Sequence, residues 1–166
     1  MIHVKGFDQL AKAMDELPAK IEKNVMRGAL RAAAKDATLP AVKAQLQANG
    51  SVKTGVLMVG LKVSTGGKGG VVLSKVKITG KHAFVAPWLE YGVAAHRIVA
   101  SKDKSLFFGG LFAKSVDHPG FAPKPFMRPG LETSAPEALM KAGEYMKKRL
   151  AIKHGIDTAD IEIEVI

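Results

Sequence analysis

The chain has 166 residues, of which 47% are apolar and only 6% aromatic, and it carries a formal net charge of +10. This length favours a single domain with an aliphatic core. The absence of cysteine excludes disulfides and thiolate metal sites. No apolar run approaches the roughly 20 residues of a membrane span. The N-terminus, MIHVKGFDQL, lacks the apolar core of a signal peptide, so the sequence predicts a soluble, unsecreted protein.

The N-terminus is predicted to form a short strand over residues 2–5 and then an amphipathic helix. Between Phe7 and Leu17, apolar residues recur every three or four positions, which is the period of one helix face. Pro18 ends this helix, because proline has no backbone N–H and clashes with the preceding turn.

A second helix is predicted to start at Pro18, a residue that suits the first helical position. Its alanine-rich face allows another element to approach closely. Pro40 falls within the apolar pattern, so we expect a kink or break near residues 38–39. The helix then continues to Asn49-Gly50, and residues 1–50 form a helical N-terminal part.

Residues 51–126 are predicted to be rich in β-structure. The helical period ends at Val56, and from Val59 on apolar residues fall at every second position on both sides of a glycine-rich run at residues 66–70. Two such strands around glycines predict a long β-hairpin with the glycines at its tip. The short aromatic-rich element at residues 83–92 is predicted to be a further strand. Residues 93–120 are predicted to be a long connection with short strands.

Residues 127–166 are predicted to form a C-terminal helix and strand. Apolar spacing predicts a helix from Met127 to about Lys153, ended by Gly155. Residues 160–166, DIEIEVI, alternate and predict a strand with its apolar residues inward. The order of elements indicates a single α+β domain, in which an antiparallel sheet with a long hairpin has helices packed on one face.

A proline segment, residues 118–132 (HPGFAPKPFMRPGLE), contains four of the chain's eight prolines. Proline fixes its own φ and restricts the residue before it, so this backbone is stiff before it packs on anything. We expect the proline segment to anchor the C-terminal helix against the sheet through Phe126 and Met127.

The positive charge is concentrated in the middle of the chain. Residues 51–100 carry 7 basic side chains and a single acid, Glu90. Such a field attracts polyanions, of which nucleic acid is the obvious one. Alternatively, these mostly isolated lysines keep exposed strands soluble and block edge pairing. The sequence leaves both interpretations open.

Glu90 itself lies in an apolar context, APWLEYG. An unpaired buried carboxylate is costly. Glu90 is therefore expected either to face solvent beside a packed Trp88 or to be buried and paired with Arg97 or Arg128.

No pattern in the sequence favours an enzyme. The glycine run around Lys68 lacks the Ser or Thr and the following helix of a phosphate-binding loop. None of the five histidines has metal-ligand spacing to a neighbour. His96 and His118 would form a metal pair only if the long connection brought them together, and we expect polar loop residues instead. Paired carboxylates and a nucleophile elbow are also missing, so we predict no catalytic residue, metal or cofactor.

Four short motifs occur in a fixed order along the chain. They are KTGVL at residues 53–57, EYG at residues 90–92, HPG at residues 118–120 and PFMRPGLE at residues 125–132. As an ordered set, they resemble the head–tail joining family of tailed bacteriophages, which includes tail-completion and tail-terminator-like proteins of long-tailed phages and prophages. The connection at residues 93–117 departs from the family pattern, because it is longer and more basic.

The resemblance implies a structural virion protein that forms a ring of about six copies. The ring would lie at the head–tail junction or the proximal end of the tail tube, completing the tail and joining it to the head, with DNA passing through its lumen. Its partners would be other copies of itself, neighbouring neck or connector and tail-tube proteins and, through nonspecific contacts, the DNA, but no membrane. It would be assembled in the host cytoplasm and reside in the virion. The alternative function is a basic nucleic-acid-binding module whose hairpin lysines contact phosphates.

Two sets of residues are the candidates for these contacts. Those expected between subunits or rings are Lys68, Glu90, Arg97, Phe107, Phe108, Phe121 and Lys124. Those expected to face DNA are Lys62, Lys75, Lys77 and Lys81.

Overall fold

The computed structural model describes residues 4–102 and 104–165. Within these residues the helices are α1 (Phe7–Asp15), α2 (Ala19–Ala33), α3 (Leu39–Ala48), α4 (Val56–Gly60), α5 (Val85–Tyr91) and α6 (Met127–His154). The strands are β1 (Val4–Lys5), β2 (Leu61–Lys68), β3 (Val71–Ile78), β4 (His96–Val99), β5 (Leu106–Phe108), β6 (Leu111–Ala113), β7 (Ser115–His118) and β8 (Glu164–Val165). The fold is α+β with antiparallel strands, as predicted.

The strands do not form the single sheet that the sequence suggested. In the described part of the chain they form two-stranded antiparallel sheets, which pair β1 with β8, β2 with β3, β4 with β7 and β5 with β6. The predicted strand at residues 2–5 begins at Val4, and residues 2–3 lie outside the described residues. Of the predicted C-terminal strand, the described part that pairs is β8, with Val165 opposite Val4 and Glu164 opposite Lys5, and residue 166 also lies outside the described residues.

The N-terminal helices follow the predicted pattern closely. Between α2 and α3 the helix continues through a π-helical turn over Ala34–Thr38, which confirms the irregularity expected before Pro40. The wider turn accommodates a proline that donates no hydrogen bond and would clash with a regular preceding turn. Beyond it, Val42 and Leu46 are both buried.

Two hydrophobic clusters hold these elements together. The first joins α1, α2 and the second half of α6, and it includes Leu10, Val25 and Met146. The second joins α3, the hairpin and α5 around Phe126, which is completely buried. Helix α6 contributes Met146 and Leu150 to the first cluster, while Met127 at its start packs against the second. Helix α6 therefore connects the two clusters, and the proline segment places its start in the second.

Two segments predicted to be strands are helical. Val56–Gly60 forms one helical turn, because Gly55 has a φ of 72° that redirects the chain, and the alternating pattern is used only from Leu61 on. The aromatic-rich element is helix α5, in which Pro87 lies within the first turn. Proline is tolerated there, since first-turn N–H groups have no partner within the helix.

The hairpin of β2 and β3 pairs from Leu61 opposite Ile78 to Lys68 opposite Val71. Its turn is Gly69-Gly70, both with positive φ, so Gly66 and Gly67 lie within β2 rather than at the tip as expected. Positive φ at both positions suits a two-residue turn that follows the twist of the strands. One face of the hairpin, including Leu61, Val76 and Ile78, packs on the second cluster.

Candidate functional site

The proline segment is held by the carboxylate of Glu90 in α5. One Glu90 oxygen accepts backbone N–H bonds from Phe126 at 2.8 Å and from Met127 at 2.9 Å, and the other accepts one from Arg128 at 3.1 Å. These N–H groups open α6, whose N-cap residue Phe126 supplies no side-chain cap. Glu90 thus caps this helix from another element, at the end where the helix dipole favours an anion.

The electrostatics of Glu90 follow from this position. Partial burial raises the pKa of its carboxyl, but the three backbone N–H bonds and the nearby charge of Arg128 lower it more, so the pKa lies below its ordinary value of 4.5. The expected pairing with Arg128 is met in part: the carboxylate is half-buried and lies near the charge of Arg128, but its hydrogen bonds come from backbone amides rather than from an arginine side chain. Trp88, expected to be packed beside it, is 49% exposed. The contact of Glu90 with a neighbouring subunit remains a prediction. Both oxygens of its carboxylate already accept hydrogen bonds within the chain.

Two further contacts fix the approach to α6. The side-chain amide of Asn49 donates to the carbonyls of Lys124 at 3.1 Å and Pro125 at 2.7 Å. The N–H of Lys124 donates to the carbonyl of Leu89 at 2.7 Å, and Phe121 exchanges backbone hydrogen bonds with Val93. The side chains of Phe121 and Lys124 stay exposed, so the backbone of the proline segment is bonded while these side chains face outward.

The outer face of the β2–β3 hairpin is basic. Lys62 lies directly opposite Lys77, and Lys75 lies opposite Ser64 on the same face, with all three lysines exposed. Like charges opposite each other destabilise a strand pair. Lys68 follows at the end of β2, whereas Lys81 is exposed in the turn after β3. The structure therefore brings together three of the four DNA-facing candidates.

Large apolar side chains are exposed at the ends of two hairpins. On β5 and β6, Phe107 and Phe112 are 66% and 76% exposed, and their rings lie 4.9 Å apart. Leu111 and Phe108 beside them are also exposed, as are Val71 and Leu73 near the β2–β3 turn. The predicted contact residues Phe107 and Phe108 thus belong to a larger apolar surface.

Arg97 and the two central histidines lie on the β4–β7 pair. The Arg97 guanidinium donates to the Ser115 hydroxyl and lies 3.9 Å from the Asp117 carboxylate. His96 and His118 are directly opposite each other with stacked rings 5.1 Å apart, so they are strand residues and not loop residues as expected. Because the His118 Nδ1 accepts the Gly120 N–H, its neutral ring carries the proton on Nε2, which does not favour a two-histidine metal site.

In the part of the chain that the structure describes, no three His, Asp or Glu side chains are grouped to hold a metal ion. His3 lies outside that part. Among the same residues, no helix has both the length and the apolarity that crossing a membrane requires.

A groove of about 690 Å³ lies beside β3. We call it the β3 groove. From β3 it is lined by Ser74, Lys75, Val76 and Ile78, and the rest of the lining comes from α5 and the residue Ala83 before it, the start of α6, the π-helical turn and Val42 of α3. Sequence reasoning did not find it, because it depends on how α5 and α6 pack next to the hairpin.

Compared with protein-family models, with curated proteins and with solved structures, the chain has no match.

Proposed function

We propose that this chain is a structural subunit of a ring at the head–tail junction or the proximal end of the tail of a long-tailed bacteriophage. It acts by assembly and not by catalysis. Copies of the chain contact each other and the neighbouring neck and tail-tube proteins, and DNA passes through the lumen of the ring.

The observation that carries the proposal is the apolar surface on the β5–β6 hairpin. Phe107, Leu111 and Phe112 are each about two-thirds or more exposed on strands of three residues. Phe107 is paired with Phe112 and Phe108 with Leu111, so both faces of this ribbon carry large exposed apolar side chains. Exposed apolar surface of this kind marks a site that another molecule covers. Burying it gains about 25 cal/mol for each Å² of apolar area, and packing against a second copy provides that burial.

The strand pairing supports the same function. Each described sheet has only two strands, so every strand has one edge without a partner strand among the described residues. Free edges are sites of strand addition between molecules. In a closed ring each subunit uses two different surfaces, one toward each neighbour, and the separate hairpins provide such surfaces.

The motifs behind the family resemblance also contact one another. Glu90 of EYG accepts the backbone N–H bonds of Phe126, Met127 and Arg128 in PFMRPGLE. Phe121, just after HPG, is bridged to Val93, just after EYG. Three of the four motifs, although distant in sequence, therefore lie together in the fold, which supports treating them as a set.

Native mass spectrometry of the purified protein, over a range of concentrations, tests the proposal. The expected result is a closed ring of about six copies, visible as annular particles by negative-stain microscopy. Serine substitutions at Phe107 and Phe112 should abolish the rings. Open, unlimited filaments or a monomer that also fails to join tail-tube assemblies would contradict the proposal.

Nucleic-acid binding is the second candidate, and the opposed pair Lys62 and Lys77 favours it. Two exposed ammonium groups held side by side are stabilised by a bound polyanion. Against it, β2 and β3 carry no aromatic side chain on which bases would stack. Micromolar or tighter affinity for DNA that falls steeply with salt, in a protein that does not form rings, would favour this candidate over the first.

A further inference from the structure

The β3 groove runs along a strand edge that has no partner strand within the described chain. β3 pairs only with β2, and the strand residues that line the groove are those of β3. They include residues of both faces, Lys75 from the outer face and Val76 from the inner face. A groove that meets both faces of one strand lies at its edge, where backbone groups are available to an added strand.

The floor of the groove is apolar and its rim is positive. Val76, Ile78, Ala86 and Met127 form apolar lining, and all four belong to the second cluster or pack against it. Lys75 and Arg128 are exposed at the rim. The occupant suited to this lining has apolar groups on one side and negative charges on the other.

Two side chains at the rim expose a large apolar surface to solvent. Tyr91 is 70% exposed and Leu131 is 56% exposed, and both line the groove. A molecule seated in the groove would cover them.

We propose that the β3 groove binds an extended segment of a neighbouring protein in which apolar and acidic residues alternate. The segment adds to the free edge of β3 as a further strand. Its apolar side chains contact the floor, and its carboxylates face Lys75, Lys77 and Arg128.

The spacing of charges on β3 fits this occupant. Lys75 and Lys77 are two residues apart on one face, about 6.6–6.8 Å along the strand. Acids at alternate positions of an added strand have the same spacing and lie directly opposite these lysines. Four residues of β3 line the groove, Ser74, Lys75, Val76 and Ile78, and they span five positions of the strand, which matches a segment of about five or six residues. Lys77 lies outside this lining, on the outer face beside Lys75. Glu90 is the acid in the lining, and its charge is directed to the N–H groups of α6.

This chain contains one segment of that type, DIEIEVI at residues 160–166. In its own fold, however, Ile161 is buried in the first cluster. A second copy would have to unpack this core to deliver the segment, so we assign the occupant to a protein of different sequence. That this protein is a neighbouring virion component rests on the proposed function, whereas peptide binding at the groove does not.

The peptide DIEIEVI, labelled and free in solution, is a direct probe of the groove. Fluorescence anisotropy should show binding to the full-length protein, with an affinity in the micromolar to sub-millimolar range. The peptide KIKIKVI should not bind. A scrambled peptide with the same composition but with its acids adjacent should bind at least about tenfold more weakly, because adjacent acids point to opposite faces of a strand.

Matched variants locate the binding. Lys75→Glu with Lys77→Glu should weaken peptide binding at least about tenfold at low salt. Lys62→Glu with Lys68→Glu changes the net charge equally on the same hairpin, yet places the change on β2, so it should have a much smaller effect. Leu131→Ser should weaken binding, and Ile152→Ser, another exposed apolar residue of α6, should not.

Hydrogen exchange provides the second readout, since strand addition should slow exchange of β3 amides between residues 74 and 78 when peptide is bound. Equal losses in both lysine double variants, equal binding of the scrambled peptide, or no binding at about 1 mM peptide would each overturn the inference. Binding of an oligo(dT) strand in place of the peptide, through the same lysines, would overturn it in favour of nucleic acid. Peptide binding without ring formation would support the peptide site in the β3 groove and contradict the proposed function. Ring formation without peptide binding would support the proposed function and overturn the inference about the β3 groove.

Discussion

The carboxylate of Glu90 accepts a 2.8 Å hydrogen bond from the backbone N–H of Phe126, whose side chain is completely buried in the second cluster. One residue of α5 therefore fixes both the start of α6 and the position of the largest fully buried side chain. The proline segment therefore holds the β2–β3 hairpin, α5 and the start of α6 together. The exposed apolar side chains of the β5–β6 hairpin take no part in this contact.

Removing the Glu90 carboxylate should destabilise the fold. Glu90→Ala leaves three N–H groups at the start of α6 without their acceptor, at a cost of about 1–3 kcal/mol in the free energy of unfolding. Urea denaturation measures this cost. Glu137→Gln, at an exposed position of the same helix, is the control and should change stability little. Equal stability of the Glu90 variant and the wild type would show that the cap contributes nothing.

The same contact makes stability depend on pH. The pKa of Glu90 is lowered in the folded protein from its ordinary value of 4.5, so the unfolded state takes up a proton first as the pH falls. The contribution of Glu90 is therefore fully present above about pH 5 and is lost as the pH drops through the folded pKa. The stability difference between wild type and Glu90→Gln, measured from pH 7 to pH 3, should shrink in this window. A difference that grows toward acid would have the wrong sign.

Parts of this arrangement were predictable from the sequence, and parts were not. The 3.6-residue period gave α1, α2 and α6, and Pro40 gave the irregularity between α2 and α3. The helical turn Val56–Gly60 was not predicted because its apolar run with two valines, directly before an alternating segment, is also typical of a strand, while the turn itself depends on Gly55. The hydrogen-bond partners of Glu90 could not be predicted, because every residue except proline has a backbone N–H group and the sequence does not mark which of them a distant carboxylate will bond.

One signal for the Glu90 contact was nevertheless present. Helix α6 begins after Pro125-Phe126 without Ser, Thr, Asp or Asn at its N-cap, so a capping group had to come from elsewhere. Glu90 is the single acid of residues 51–100. The β3 groove had no comparable signal, because its walls come from elements whose packing the sequence does not specify.

Close packing of α3 on α6 depends on Gly130. A Cβ added at this position would lie 2.7 Å from the Val42 Cα and 2.9 Å from the Val42 backbone nitrogen, and backbone atoms cannot move aside as a side chain can. Gly130→Ala should therefore lower the free energy of unfolding by about 1–3 kcal/mol. Gly66→Ala in β2, where a Cβ would meet nothing within 4 Å, is the matched control and should change it by less than about 1 kcal/mol. Thermal melts of both variants distinguish packing from a general effect of glycine replacement.

The β5–β6 surface should matter for assembly and not for folding. Phe107→Ser with Phe112→Ser removes side chains that are 66% and 76% exposed, so circular dichroism and the melting temperature should stay close to wild type. Self-association, measured by sedimentation velocity, should be lost. A double variant that associates as well as the wild type would assign the contact to another surface.

The central claim is that this chain is a ring subunit at the junction of head and tail. Gold labelling of an epitope-tagged copy, imaged by electron microscopy on virus particles released from cells that carry its gene, tests this proposal most directly. The account predicts gold at one position on each particle, between the head and the tail tube or at the proximal end of the tail. Gold absent from purified particles, or spread along released DNA, would contradict it.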